Sequence, residues 1–267
     1  MIDWDDAFDN SGYVPESADL IESFAAQAAA YRSDLGSRAE LDVAYGDNPR
    51  EKMDIFRPAA DPQGVLIFVH GGYWLRLDKS YWSHLAHGAL SRGWAVVMPS
   101  YPLAPQARIS AITASVASAI TRVADRFDGP IRLAGHSAGG HLVSRMACTG
   151  VLPGNITDRI ERVMSISGVH HLSPLLQTKM NDDLRLDEAE AMVESPITHA
   201  PVPGIPVTFW VGTEERPEFL RQTRVAAEIW RLKGADVTAV YEPGTNHFTL
   251  IKSLAAPEGA TTAEVFR

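Results

Sequence analysis

Five short stretches of the chain are dominated by apolar, largely β-branched residues without regular alternation: 65–69, 95–98, 131–134, 163–166 and 207–211. A strand with one face in water alternates apolar and polar side chains, whereas a strand covered on both faces need not. Stretches this short are strand-sized rather than helix-sized. Between them lie segments with helical spacing, at 81–91, 109–127, 139–148 and 218–233. This order predicts an α/β fold with a mostly parallel central sheet and helices on both faces.

The flanking segments add detail. Residues 39–44 and 52–56, separated by Gly46-Asp47-Asn48-Pro49, read as a hairpin, and 236–241 reads as a last strand. In the region 1–38, Leu20, Ile21, Phe24, Ala28 and Tyr31 recur at helical spacing, which predicts an N-terminal helical extension. The polar, proline-containing stretch 172–203 reads as a small lid-like insertion over the top of the sheet. No repeat or low-complexity linker interrupts the chain, so residues 1–267 are expected to form a single domain.

Composition excludes several functions. The net charge of −9 argues against a nucleic-acid partner, because neutralising phosphates takes clustered Lys and Arg. Cys148 is the only cysteine, so neither an intramolecular disulfide nor a Cys-rich metal site can form. None of the nine histidines sits in a recognised metal spacing, and neither metal nor cofactor is expected. No run of apolar residues is long enough to span a bilayer, and the acidic N-terminus does not resemble a secretory signal. The expectation is a cytoplasmic protein acting on a small molecule, away from membranes. The oligomeric state is left open.

The sharpest motif is Gly135-His136-Ser137-Ala138-Gly139, a G-x-S-x-G between an expected strand and an expected helix. A turn this tight needs small neighbours and exposes the serine hydroxyl at a helix N-terminus, where free N–H groups favour developing negative charge. Ser137 is therefore the candidate nucleophile. His70-Gly71-Gly72-Tyr73-Trp74 follows the strand at 65–69 and matches an HGGG-type oxyanion loop. The expected donors are the N–H groups of Gly72, Tyr73 and Ala138.

In this chain order the base follows the last strand, and His247 is the only histidine after His199. The acid should follow the strand at 207–211, where the sequence is Gly212-Thr213-Glu214-Glu215. The usual position is the third after the glycine, which favours Glu215 and leaves Glu214 as the alternative. Trp74, Tyr81, Trp82, His171 and Phe248 are candidates for an aromatic-friendly pocket. His84 and His87 read as helix-surface or lid-contact residues.

The order Ser, acid, His with HGG upstream resembles the α/β-hydrolase fold from about Ala39 to the C-terminus. The HGGYW stretch, the GHSAGGHL stretch and Pro217-Glu218-Phe219-Leu220-Arg221-Gln222 together resemble the arylformamidase (kynurenine formamidase) branch and its bacterial esterase-like relatives. That resemblance implies hydrolysis of an aryl formamide such as N-formylkynurenine, or of a carboxylic ester. The family usually carries aspartate where Glu215 stands, and often a further aspartate where this chain has Thr249.

The expected function is thus a serine hydrolase of a small ester or aryl formamide, working through a Ser137–His247–Glu215 triad and an acyl-enzyme. Two other readings are a non-catalytic small-molecule binder on the same fold and a peptidase-like amide hydrolase. The presence of a residue at all three triad positions argues against the first. The lack of any additional filtering domain argues against the second.

Overall fold

The computed structural model describes residues 2–267. Eight strands form one sheet: β1 (Ala39–Ala44), β2 (Lys52–Phe56), β3 (Val65–Val69), β4 (Ala95–Pro99), β5 (Ile131–His136), β6 (Ile160–Ile166), β7 (Val207–Gly212) and β8 (Val237–Glu242). Their order is β1-β2-β4-β3-β5-β6-β7-β8. β2 pairs antiparallel with both β1 and β4, and every pairing from β4 to β8 is parallel. The expected α/β architecture is therefore the observed one.

The unbroken apolar runs mark the interior of this sheet. β3 and β4 are buried along their whole length, and alternate side chains serve opposite faces. Val65, Ile67 and Val69 enter one core, while Leu66 and Phe68 enter the other. The edge strands β1 and β8 are partly exposed throughout, as strands with a free side must be. The first core is closed by helix Ile109–Ala124, which turns Ile109, Ile112, Val116, Ile120 and Val123 inward at intervals of three and four. Each such fully buried side chain contributes about 1.5–3 kcal/mol.

Two expectations change. The helix read over 81–91 is two 3₁₀ turns, Lys79–Tyr81 and Ser83–Leu85, followed by helix Ala86–Ser91. The tighter turns rotate His84 inward, where it is buried and stacks on Phe24 at 5.7 Å. Its expected place on the helix surface or against the lid is thus corrected, since it packs on the N-terminal helix. The stretch 172–203, read from the sequence only as a polar lid-like insertion, also carries regular structure of its own. It holds helices Asn181–Leu184 and Glu188–Glu194 with 3₁₀ turns at Ser173–Gln177 and Pro196–Thr198.

Buried acids fasten that stretch to the body. Glu190 accepts from Ser110 N–H at 3.0 Å, Ser110 Oγ at 2.7 Å and Arg108 Nε at 2.6 Å. Glu194 accepts from Thr113 Oγ1 at 2.7 Å and Arg145 Nε at 3.2 Å. At the other end of the chain, helix Ser17–Leu35 packs on the two 3₁₀ turns after β3 through Phe24, which lies 5.8 Å from the Trp82 ring. No described helix is long and apolar enough to cross a membrane.

Candidate active site

The candidate residues sit just beyond the carboxyl ends of β3, β5, β7 and β8, where open α/β sheets place their ligands. Ser137 follows β5 and precedes helix Ala138–Met146. Its φ is 56° with ψ −119°, a sparsely populated backbone region that costs a non-glycine residue about 1–3 kcal/mol. Its N–H donates to the Ile166 carbonyl at the end of β6, at 2.8 Å. The turn also needs glycine at 139, because an added Cβ would lie 1.9 Å from the Val69 carbonyl oxygen.

The HGG loop lies directly against this turn. At Gly71 an added Cβ would come within 2.8 Å of the Ser137 Cβ, so only glycine lets the two segments approach. The loop is held from behind. Tyr101 donates to the His70 carbonyl at 2.8 Å, and the His70 ring stacks on Tyr101 at 4.3 Å. His70 Nδ1 lies 2.7 Å from the Gly71 carbonyl. Gly72, Tyr73 and Trp74 all have positive φ, which turns the loop back so that the Gly72 carbonyl accepts from Leu75 and Arg76. The N–H groups of Gly72 and Tyr73 make no hydrogen bond within the described chain. Ala138 opens its helix and has no preceding turn to bond to. All three expected oxyanion donors are thus free at the same end of the sheet.

His247 lies in the loop after β8, and Glu215 in the turn after β7. His247 Nδ1 is 2.7 Å from Glu215 Oε2. With the proton on Nδ1, Nε2 keeps its lone pair. Glu215 is 3% exposed, whereas Glu214 is exposed to solvent. Of the two carboxylates, Glu215 is therefore the one placed against the histidine. Its other oxygen, Oε1, accepts from Gly212 N–H at 2.9 Å and from Ser167 Oγ at 2.5 Å.

Three rings surround His247: His136 at 4.7 Å, Phe219 at 4.8 Å and Phe248 at 5.5 Å. His136 Nε2 donates to the His247 carbonyl at 2.8 Å. Burial, and then the neighbouring His247, hold His136 well below the usual histidine range, so it stays neutral. His141 lies one helical turn beyond Ser137, its N–H donating to the Ser137 carbonyl at 3.1 Å. Its Nε2 donates to the Glu194 carbonyl at 2.7 Å, and burial pushes it down to about 4.

Ser137 and His247 line one small pocket of about 20 Å³, together with Ile21, Gly71, Gly72, Tyr73, Arg76, Leu77, Trp82, His136 and Phe248. That is room for about one water molecule. Of the aromatic candidates, Trp82 and Phe248 are in this wall. Trp74 is buried behind it, edge-on to His141 at 5.2 Å. Tyr81 is partly buried and packs against the core that contains Trp82. His171 is held by its backbone, its N–H donating to Gln222 Oε1 and its carbonyl accepting from Gln222 Nε2. A larger cleft of about 660 Å³ shares Tyr73 and Arg76 with the small pocket and is otherwise lined by Leu75, the N-terminal segment and residues 178–180.

Sequence reasoning missed Ile21, Arg76, Leu77 and Ser167. Ile21 showed only as one apolar position of a helix. Nothing in the local sequence at Ser167 announces its bond to Glu215. Among the described residues, no group of three or more His, Cys, Asp or Glu side chains could hold a metal ion.

Comparison with known proteins agrees with this architecture. Residues 53–204 match the BD-FAE family model. Kynurenine formamidase of Salmo salar is 29% identical over 224 residues, covering 80% of this chain and 76% of that protein. A solved structure from Silicibacter sp. TM1040, provisionally described as a thioesterase, is 46% identical over the whole of both chains with a TM-score of 0.94. The Pyrobaculum calidifontis esterase shares the fold at 20% identity, with a TM-score of 0.69 over 91% of each chain. With more than half of its length matched by that family model, and with this sheet and these relatives, the chain belongs to the BD-FAE family of α/β-hydrolases and is a hydrolase.

Proposed function

We propose that the protein hydrolyses a short-acyl carboxylic ester or an aryl formamide by way of an acyl-enzyme. One observation carries this reading: His247, held at 2.7 Å by the buried Glu215, lines one small pocket with a serine on a strained strand-to-helix turn. Ser137 Oγ attacks the carbonyl carbon as His247 Nε2 takes its proton. Glu215 keeps the ring in the right tautomer and stabilises the imidazolium. The Gly72, Tyr73 and Ala138 N–H groups receive the oxyanion, where preorganised donors cost no reorganisation as charge develops. The proton returns to the leaving alcohol or amine, and water then releases the acid by the same steps.

The small pocket favours the smallest acyl groups beside the serine, formyl ahead of acetyl. The larger cleft across Tyr73 offers space for the leaving group. The N-formylkynurenine-like reading draws on the formamidase relative, and the ester reading on the esterase fold. The chain acts as one domain on a small molecule in the cytoplasm, and its charge of −9 disfavours nucleic acid as a partner.

The deciding experiment compares kcat/KM for N-formylkynurenine, p-nitrophenyl esters of increasing acyl length and an acetyl thioester. A preference for the formamide or for the acetyl oxygen ester supports the proposal, with the formamide-to-ester ratio naming the leaving group. A maximum at long-chain esters or at the thioester would refute it.

A further inference from the structure

Ser167 is the first residue after β6 and is fully buried. Its φ of 50° is a left-handed conformation that non-glycine residues seldom adopt. Such strain persists only where surrounding contacts over-determine it, and it clusters at functional sites. Here the contacts are explicit. Ser167 N–H donates to the Trp210 carbonyl on β7 at 2.7 Å. The preceding carbonyl, of Ile166, receives the Ser137 N–H at 2.8 Å. Just downstream, Gln222 Oε1 accepts from the N–H groups of His170 and His171, both at 2.8 Å. Ser165 Oγ donates to the Gly140 carbonyl at 2.9 Å, tying the same stretch to the serine helix.

This conformation puts the Ser167 hydroxyl on Glu215 Oε1 at 2.5 Å, the oxygen that also accepts from Gly212 N–H at 2.9 Å. The two donors occupy one carboxylate oxygen and leave Oε2 for His247 Nδ1 at 2.7 Å. We infer that Ser167 is a positioning residue for hydrolysis, acting through Glu215 on His247. The inference rests on the triad reading above.

The terminal torsion of a glutamate is soft, so a single donor does not fix the carboxylate plane. Without the hydroxyl the plane can turn and the histidine ring loses its aim. More negative charge also remains for Oε2, which stabilises the imidazolium and makes the base harder to deprotonate. His136, Phe219 and Phe248 are the other rings against His247, and burial keeps His136 neutral. The Glu215 carboxylate is thus the charge in contact with the ring.

The test uses Ser167→Ala and Ser167→Gly in the full chain, with p-nitrophenyl acetate as substrate. Both variants delete the hydroxyl, but glycine also relieves the positive φ, so a folded sample is secured. We expect kcat to fall about 10- to 100-fold in both. KM should change little, and the rising limb of the pH–rate profile should move upward by about half a unit. Equal effects in the two variants, despite their different stability, support positioning. Ser167→Gly with kcat within twofold of wild type and an unmoved limb overturns the inference. So does a loss seen only in the less stable variant. Ser137→Ala and Glu215→Gln are measured alongside. If they are inactive while Ser167→Gly is normal, the Ser167 inference alone fails. If they stay active, the triad reading fails and this inference falls with it.

Discussion

Phe8 packs edge-on against Phe219 at 6.1 Å, and Phe219 packs edge-on against His247 at 4.8 Å. The N-terminal turn thus reaches the candidate base through two rings. Arg216, next to Glu215 in the chain, bonds the Asp6 carbonyl and carboxylate from the same side. Tyr73 in the HGG loop accepts from Asn10 N–H at 3.2 Å. An extension that looks peripheral in the sequence braces both sides of the candidate site. Phe8→Ala should therefore cost stability and activity together. Phe8 is 2% exposed, so the cavity should cost about 3 kcal/mol or more. Urea unfolding reads the first effect. A severalfold fall in kcat at a temperature where the variant is fully folded reads the second. An unchanged kcat would mean that Phe219 holds the ring without help.

The two glutamates after β7 make a sharp pair of variants. Glu215→Gln should lower kcat by about 10²–10⁴-fold, since the amide cannot stabilise the imidazolium and can favour the wrong tautomer. Glu214→Gln should be near neutral, because Glu214 faces solvent. Ser137→Ala should lose on the order of 10⁶-fold. Steady-state kinetics with circular dichroism as a folding control decides among them. A damaging Glu214→Gln beside a mild Glu215→Gln would contradict the geometry.

Pocket size yields a specificity prediction. Ile21, partly exposed, lines the serine pocket from helix Ser17–Leu35. Ile21→Ala removes wall atoms without touching the triad, so the optimum acyl chain should lengthen by one or two methylenes. Each newly buried methylene contributes about 0.8 kcal/mol, roughly a fourfold gain in kcat/KM. A p-nitrophenyl ester series compared between wild type and variant measures this. An unmoved optimum would mean that the acyl group lies elsewhere.

The sheet was legible because buried parallel strands leave uninterrupted apolar runs, as at Val65–Val69. The serine turn and HGG loop were legible because their geometry demands glycine at fixed offsets, and Glu215 stood out by its distance from Gly212. The illegible parts depend on distant contacts or backbone conformation. Ile21 reaches the serine pocket from a helix far away in the sequence. Ser167 acts through a positive φ that its own residue type disfavours. His84 was misplaced because helical spacing does not apply across two 3₁₀ turns.

Buried histidines should make the fold acid-labile. Burial pushes His70, His84 and His141 down to about 4 and His170 to about 3, and holds His136 well below the ordinary range. In the unfolded chain each titrates near about 6.5. A base whose folded value is depressed is protonated more readily when unfolded. Its contribution to stability is therefore complete above about pH 6.5 and is lost as pH falls toward 4. Each contributes a slope of up to about 1.4 kcal/mol per pH unit in that window, and typical domains have only about 5–15 kcal/mol in total. Urea midpoints should drop steeply between pH 7 and pH 5, with several protons taken up on unfolding. His84 Nδ1 is buried without a partner and its ring already stacks on Phe24, so His84→Phe should remove one proton from the slope while keeping the fold. A midpoint that is flat over this range would mean that the buried rings accept protons without unfolding.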